Sequence, residues 1–159
     1  MTPEELKLFK QDQPKYRIKA TNEVVDVSWL EKVIFAYQER LKKLSEISDL
    51  VDFFFQDKLN YDKELLRWKD MSDNEIADSL KKIEKNIKTI GEGEWTKENL
   101  ESLLISIVDS SDKGRIMWPL RVALTGKKAS ASPFDVAAIL GRNKTLGRIK
   151  EAMRKCGWG

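Results

Sequence analysis

Residues 72–87 read SDNEIADSLKKIEKNI, and this stretch predicts an amphipathic helix from one end to the other. Ser72 and Glu75 have the S-x-x-E spacing of a capping box, in which two side chains satisfy free N–H groups at a helix start. The apolar residues that follow recur at steps of three and four: Ile76, Leu80, Ile83 and Ile87. That spacing places them on one face, as in a helix that packs against a core.

The segment before this helix has the same three- and four-residue spacing. A second S-x-x-E pair, Ser28 and Glu31, precedes an apolar stripe that predicts one long helix. The members of the stripe are Leu30, Val33, Ile34, Tyr37, Leu41 and Leu44. Residues 53–55 are all phenylalanine, which is more aromatic surface than one helix face needs. We therefore expect them to close a core between helices.

Further helix starts are predicted at capping residues on either side. Asp62 is expected to cap a short helix and Thr96 a longer one. Ser132 followed by Pro133 is a favourable helix start, because proline suits the first helical position. Pro119 lies inside the apolar residues 116–124, and an interior proline costs a helix about 3 kcal/mol. We therefore predict that this helix starts near Pro119, after a kinked or extended lead-in.

Helical spacing covers nearly the whole chain, apart from a weak strand pattern at residues 24–27. The fold class predicted is all-α. Gly91 and Gly93 interrupt the pattern and predict a boundary between two small helical subdomains that form a helical bundle. The expected division is a connecting segment at residues 1–28, a first subdomain at 29–92 and a second, basic subdomain at 93–159.

Composition excludes several classes of function. The 159 residues include no histidine and one cysteine, so His-dependent triads, His-bearing zinc sites and thiolate metal clusters are excluded. No glycine-rich phosphate loop occurs, and no metal site is expected. No apolar run has the length of a membrane span and no signal peptide opens the chain, so we expect a cytoplasmic protein.

Positive charge is concentrated near the end of the chain. Residues 112–155 contain eleven Lys and Arg but three Asp and Glu, whereas the whole chain has a net charge of +3. A basic segment attached to an acidic remainder is typical of a protein that binds a polyanion. The alternative is a basic face that only contacts solvent.

Residues 119–126 read PLRVALTG, and Leu140 and Gly141 follow after a short loop and an apolar segment. This pattern resembles the C-terminal anticodon-binding region of bacterial-type glutamyl-tRNA synthetases. A looser resemblance includes QERLKKLSE at residues 38–46, DFFF at 52–55 and EWT at 94–96, and in total it covers residues 30–152. Members of that family often have a Ser/Thr-Pro-Gly-Leu-Phe-like loop, where this chain has SASPF at residues 130–134.

The resemblance implies that the chain recognises a tRNA anticodon and positions the tRNA for ATP-dependent glutamylation. It implies as partners the catalytic domain of the same synthetase and a glutamate tRNA, with glutamine tRNA as a further candidate. The catalytic motifs of that family are not found in these 159 residues, so we expect the chain alone to be inactive. ATP and Mg²⁺ would belong to the full enzyme, with no cofactor here. We expect a monomer that does not bind membranes.

The resemblance also implies two sets of contact residues. The base-contact set consists of Arg121, Ser130, Ala131, Ser132, Pro133, Phe134 and, from the first subdomain, Arg40. The phosphate-contact set consists of Lys127, Lys128, Arg142, Lys144 and Arg148. Arginine suits a base because its planar fork donates several hydrogen bonds. The structural alternatives are that Arg121 forms a salt bridge between helices, that the loop only caps the next helix, and that the lysines only aid solubility.

Two other functions remain open from the sequence. One is a helical protein-interaction module whose basic end binds an acidic partner, and the other is a general RNA-binding chaperone. A preference for a tRNA with the glutamate anticodon would separate anticodon recognition from both.

Overall fold

The computed structural model describes residues 15–158, apart from the side chain of Leu44. Seven α-helices and one two-stranded hairpin form the regular structure of these residues, so the predicted all-α class is confirmed. The chain divides into two compact units, the first ending at Asp57 and the second beginning at Lys58. Residues 1–14 of the expected connecting segment lie outside the described residues.

The division between units differs from the expected boundary at residues 92 and 93. Around Gly91 the chain makes a tight turn, in which the N–H of Glu94 donates to the Gly91 carbonyl over 3.0 Å. A 3-10 turn at Glu92–Glu94 continues it, and the helices before and after this turn pack against each other. The glycines therefore mark a reversal of direction inside the second unit.

The first unit opens with a hairpin of β1 (Lys15–Arg17) and β2 (Val24–Asp26), paired antiparallel with Tyr16 opposite Val25. Helix α1 (Val27–Tyr37) follows β2 directly, and the Asp26 carboxylate accepts a 2.8 Å hydrogen bond from the Trp29 N–H. The predicted cap at Ser28 is therefore wrong, because Ser28 lies inside the first turn.

The long helix predicted through residue 44 is also wrong. Helix α1 ends at Tyr37, a 3-10 turn spans Gln38–Arg40, and Leu41 is extended. Helix α2 (Ile47–Val51) and a 3-10 turn at Asp52–Phe55 complete the unit. The helical spacing of apolar residues continues past Tyr37, so spacing alone does not predict that the helix ends there.

An aromatic cluster forms the core of the first unit, as the run of phenylalanines predicted. The ring centroids of Phe53 and Phe54 lie 4.3 Å apart, and Tyr37 meets Phe54 edge to face at 6.2 Å. Trp29 contacts Phe54 and Phe55 in the same edge-to-face manner. Such pairs stabilise a core beyond the area they bury.

Helix α3 (Asp73–Ile87) is central to the second unit. Its Ser72–Glu75 capping box is present as predicted, with Ser72 N–H donating to Glu75 over 2.7 Å. The predicted apolar stripe is fully buried, together with Ala77. Helix α3 packs against three other helices, α4 (Lys97–Ile107), α5 (Gly114–Thr125) and α7 (Arg142–Lys155). Helix α6 (Pro133–Leu140) packs against α4, α5 and α7.

Helix α5 contradicts the start predicted near Pro119. It begins five residues earlier, at Gly114, and Pro119 lies buried within it. Tertiary contacts favour this conformation: Trp118 donates to the Leu65 carbonyl over 2.8 Å, and the Trp118 ring lies 5.4 Å from that of Trp68. These contacts fix the first turns of α5 despite the missing proline N–H.

Candidate nucleic-acid interface

The loop between α5 and α6 is fixed at its first end by the close of α5. Gly126 ends the helix in the left-handed conformation, with a φ of +68°, and donates to the Val122 carbonyl over 2.7 Å. The Thr125 hydroxyl donates to the Arg121 carbonyl over 2.8 Å and accepts from the Lys127 N–H over 3.0 Å. Lys128 then projects into solvent from an anchored backbone.

The second half of the loop is mostly buried. Ser130 and Ala131 are 4% and 3% exposed, and the Ser130 hydroxyl donates to the Ala131 carbonyl over 2.7 Å. Ser132 caps α6 by accepting from the Phe134 N–H over 3.2 Å, with Pro133 at the first helical position. The helix start is as predicted. These four members of the base-contact set therefore stabilise the loop and the start of α6, independently of any contact with a base.

Phe134 lies inside the second unit, where it is 9% exposed. Its ring offers little surface on which a base could stack, which argues against the contact proposed from the sequence. Arg121 is half-buried on α5 and has interactions within the protein. Arg40 is exposed in the 3-10 turn of the first unit.

Two arginines of the phosphate-contact set donate hydrogen bonds to backbone carbonyls of the protein. Arg148 is 6% exposed, and its Nη1 donates over 2.6 Å to the carbonyl of Leu124, near the end of α5. Arg142 donates to the carbonyls of Ile90 and Lys88 over 3.0 and 3.1 Å, where the chain leaves α3. Both guanidinium groups satisfy carbonyls near helix ends that lack a helical partner. Both arginines therefore have a structural role in the fold, and the phosphate role expected for them from the resemblance stays a prediction.

The lysines of the phosphate-contact set are more accessible. Lys128 is exposed, and Lys127 and Lys144 are half-buried. Lys128 also borders an open cleft of about 520 Å³ in the second unit. The other residues that line this cleft are Tyr61, Asp62, Glu64, Leu65, Arg67 and Trp118.

Tyr61 forms one wall of the cleft and was not found from the sequence, where it lies in a segment without periodicity. The Lys155 ammonium lies 4.6 Å from the centre of its ring and donates over 3.0 Å to its carbonyl. Burial raises the pKa of the Tyr61 phenol well above its usual value, and the Glu151 carboxylate and the ionised form of Cys156 add to the effect. The phenol is therefore neutral at physiological pH.

Two acidic side chains near the cleft, Glu64 and Asp73, are paired with cations. Arg67 pairs with Glu64 at 2.8 Å and Asp73 at 2.6 Å, and it also donates to the Met71 carbonyl. Lys63 pairs with Asp73 at 2.9 Å. Hydrogen bonds from these cations hold the pKa of Glu64 and of Asp73 below their usual values. The cations of this cluster are thus paired, whereas Lys128 is exposed at the rim of the cleft.

Other kinds of site find little support among residues 15–158. No three His, Cys, Asp or Glu side chains of this part of the chain converge as ligands for a metal ion. Over the same residues, no helix has both the length and the apolar composition needed to cross a bilayer.

Comparisons with known proteins agree with the resemblance seen in the sequence. The family described as "Anticodon binding domain" matches residues 4–153. A glutamate–tRNA ligase of Clostridium kluyveri is 34% identical over 120 residues, which cover 73% of this chain and 24% of the ligase. The ligase of Clostridium acetobutylicum is 33% identical over 140 residues, or 85% of this chain and 28% of the ligase.

A solved structure shows the same fold. The crystal structure of a glutamate tRNA ligase from Elizabethkingia meningosepticum, in complex with its amino acid, matches with a TM-score of 0.69. The match has 20% sequence identity and covers 96% of this chain but 28% of that one. The chain thus spans about a quarter of the length of the relatives it matches.

Proposed function

Because this chain belongs to the anticodon binding domain family, we propose that it binds the anticodon loop of a glutamate tRNA. In this proposal the domain positions the tRNA for ATP-dependent glutamylation by the catalytic domain of a glutamate–tRNA ligase. The curated relatives bear the name of that activity.

One observation carries the proposal at the level of geometry: an anchored loop places exposed Lys128 at the rim of a cleft walled by Tyr61 and Trp118. Single-stranded RNA is bound through unstacked bases on flat side chains and through cations on phosphates. A cleft with aromatic walls and a lysine at its rim supplies both. The matched family supplies the reason to expect an anticodon rather than another RNA loop.

The contact residues divide by accessibility. Lys128 and Lys127 would neutralise phosphates, and Arg121 would present its planar fork to a base edge. Arg40 would contribute from the first unit. Arg142 and Arg148 instead hold helix ends in place, and Ser132 and Pro133 set the start of α6. ATP and Mg²⁺ would be bound by the rest of such a ligase.

The direct test is a titration of the 159-residue chain with three RNA transcripts. They are glutamate tRNA, glutamine tRNA and a glutamate tRNA with a changed anticodon, and binding is followed by fluorescence anisotropy. We expect the native glutamate tRNA to bind more tightly than the changed one. Glutamine tRNA shows whether the domain accepts both. Sedimentation of the free chain tests the expected monomer.

A charge-matched pair of variants localises the contact. Lys128→Gln is expected to weaken binding of all transcripts alike and to reduce the slope of log K against log salt by about one. Lys32→Gln removes an exposed lysine of α1 and serves as the control. Equal affinity for native and changed anticodons would favour a general RNA-binding protein. Absence of tRNA binding at modest ionic strength would favour a protein-interaction module and contradict the proposal.

A further inference from the structure

A second basic surface lies on α3 and α7, on residues assigned to neither contact set. Lys81 and Lys85 lie on α3, and Lys88 is the residue that follows its last turn. Lys150 and Arg154 lie on α7. All five side chains are exposed, and the two helices pack against each other. We call these five residues the α3–α7 basic face.

A carboxylate between the helices holds part of this face in register. Glu84 lies 2.8 Å from the Lys88 ammonium and 3.9 Å from that of Lys150, with its side chain 12% exposed. Glu151 pairs with Arg154 at 2.9 Å. Five cations against two carboxylates leave the face positive, and the more buried carboxylate serves to draw cations of both helices together.

An aromatic side chain lies beside the α3–α7 basic face. Trp158 is 37% exposed, and the Lys81 ammonium lies 4.7 Å from the centre of its ring. The backbone N–H of Trp158 donates to the Met153 carbonyl over 3.1 Å, which holds the backbone of this residue at the end of α7. Lys81, Lys150, Arg154 and Trp158 together line a shallow cleft of about 280 Å³.

We propose that the α3–α7 basic face binds the phosphate backbone of the tRNA whose anticodon loop occupies the Tyr61 cleft. Exposed cations beside an aromatic ring match a nucleic-acid strand, which presents phosphates and flat bases or sugars together. This inference rests on the proposed function, because that function supplies the RNA.

The two surfaces take different parts of the RNA because they lie on different sides of α7. Lys155 faces Tyr61, whereas Lys150 and Arg154 face α3. Consecutive residues of a helix point about 100° apart, so Arg154 and Lys155 diverge strongly. A strand on one surface therefore leaves the other free for a separate stretch of phosphates.

A lipid surface is a poorer match. Helices that lie on membranes insert several apolar side chains beside their cations. Of the large apolar side chains exposed among the described residues, Trp158 alone lies beside this face. The remaining contacts available here are charge-assisted and suit a polyanion in water.

The test compares two triple variants of the 159-residue chain. The first is Lys81→Gln, Lys150→Gln and Arg154→Gln, which removes the positive charge but keeps a polar side chain at each position. The control is Lys32→Gln, Lys58→Gln and Lys113→Gln, which removes three exposed lysines elsewhere. Binding of the native and changed-anticodon tRNAs is measured across a salt series.

We expect the first variant to weaken binding of both tRNAs by the same factor, about tenfold or more at low salt, and to reduce the salt slope by about 2 to 3. The ratio between the two tRNAs should stay unchanged, and the control should change the slope little. A double variant, Lys81→Gln with Arg154→Gln, leaves the Glu84–Lys150 pair intact and tests the same point if the triple variant folds poorly. Its expected slope reduction is about 1 to 2.

The outcomes separate the two proposals. If the unaltered chain distinguishes the two tRNAs but the first variant behaves like the control, the basic face does not bind RNA. If the unaltered chain does not distinguish them, the proposed anticodon recognition fails instead. Binding of vesicles containing phosphatidylserine, lost in the first variant while tRNA binding is unchanged, would assign the face to a membrane surface and overturn the inference.

Discussion

Gly114, the first residue of α5, is packed against the indole of Trp68. A Cβ added to Gly114 would lie 2.1 Å from Cε2 of Trp68. The indole has little freedom to move, because its N–H donates to Asp112 over 3.0 Å and its ring lies against Trp118. The glycine is therefore needed for close approach, in a position where a helix would otherwise favour alanine.

We predict that Gly114→Ala lowers the free energy of unfolding by about 1 to 3 kcal/mol, the usual cost of overpacking. Gly147→Ala is the matched control, because no atom lies within 4 Å of its added Cβ. In that exposed helix interior, alanine should raise stability by about 0.5 to 1 kcal/mol. Urea unfolding measures both. Equal effects of the two substitutions would contradict the contact.

Tyr61 gives a pH-dependent prediction. Its pKa is raised in the folded protein, so above about pH 10 the unfolded chain loses this proton while the folded chain keeps it. The free energy of unfolding should therefore fall as pH rises above that value, because the unfolded state then binds fewer protons. Urea unfolding of the parent and of Tyr61→Phe at about pH 9 and about pH 11 tests this. The variant should lose less stability over the interval, and an equal loss in both proteins would show that Tyr61 is not responsible.

At the scale of the helices, the starts were easier to predict than the lengths. The caps expected at Ser72, Thr96 and Ser132 are present, and Asp62 caps a short 3-10 turn at Lys63–Leu66. Capping depends on a few adjacent residues, so the position of a helix start can be predicted from the local sequence. The extent of α5 instead depends on Trp118 meeting Leu65, 53 residues away in the chain, and no local pattern records that contact.

Substitution of Arg148 tests whether its side chain stabilises the packing of two helices or contacts tRNA. Its guanidinium satisfies the Leu124 carbonyl and joins α7 to the end of α5. Arg148→Met should therefore lower the free energy of unfolding by about 1.5 to 3 kcal/mol, as for a lost hydrogen bond to a charged group. The salt slope of tRNA binding should not change, measured at a temperature where the variant is folded.

Lys128→Met is the control for Arg148→Met, because its side chain is exposed. It should leave stability nearly unchanged and reduce the salt slope by about one. A reversed pattern, with Arg148 altering the slope and Lys128 altering stability, would support the phosphate role expected for Arg148 from the resemblance.

For the whole molecule, the sequence predicted which end is basic but not which cations are accessible. Composition counts Arg142 and Arg148 equally with Lys150 and Arg154, although the first two donate to backbone carbonyls and the last two are exposed. The difference arises from which face of α7 meets α3 and α5. Tyr61 could not be found either, since its place in the cleft depends on packing against residues from distant parts of the chain.

Binding by the whole domain should separate into a part that depends on the anticodon and a part that depends on charge. Arg121→Lys tests this separation, because lysine keeps the charge but loses the planar fork that can contact a base edge at two points. We predict that the variant loses about 1 to 3 kcal/mol of discrimination between native and changed anticodons. Its salt slope should stay the same, because the number of cations is unchanged.

Lys128→Gln should show the opposite result, a lower salt slope with discrimination preserved. Anisotropy titrations of both variants with both tRNAs, across the salt series, measure the two quantities in one experiment. Because Arg121 is half-buried, thermal unfolding of Arg121→Lys should first establish that the variant is folded. If folded Arg121→Lys discriminates as well as the parent, Arg121 does not contact a base, and its interactions within the protein are its whole role.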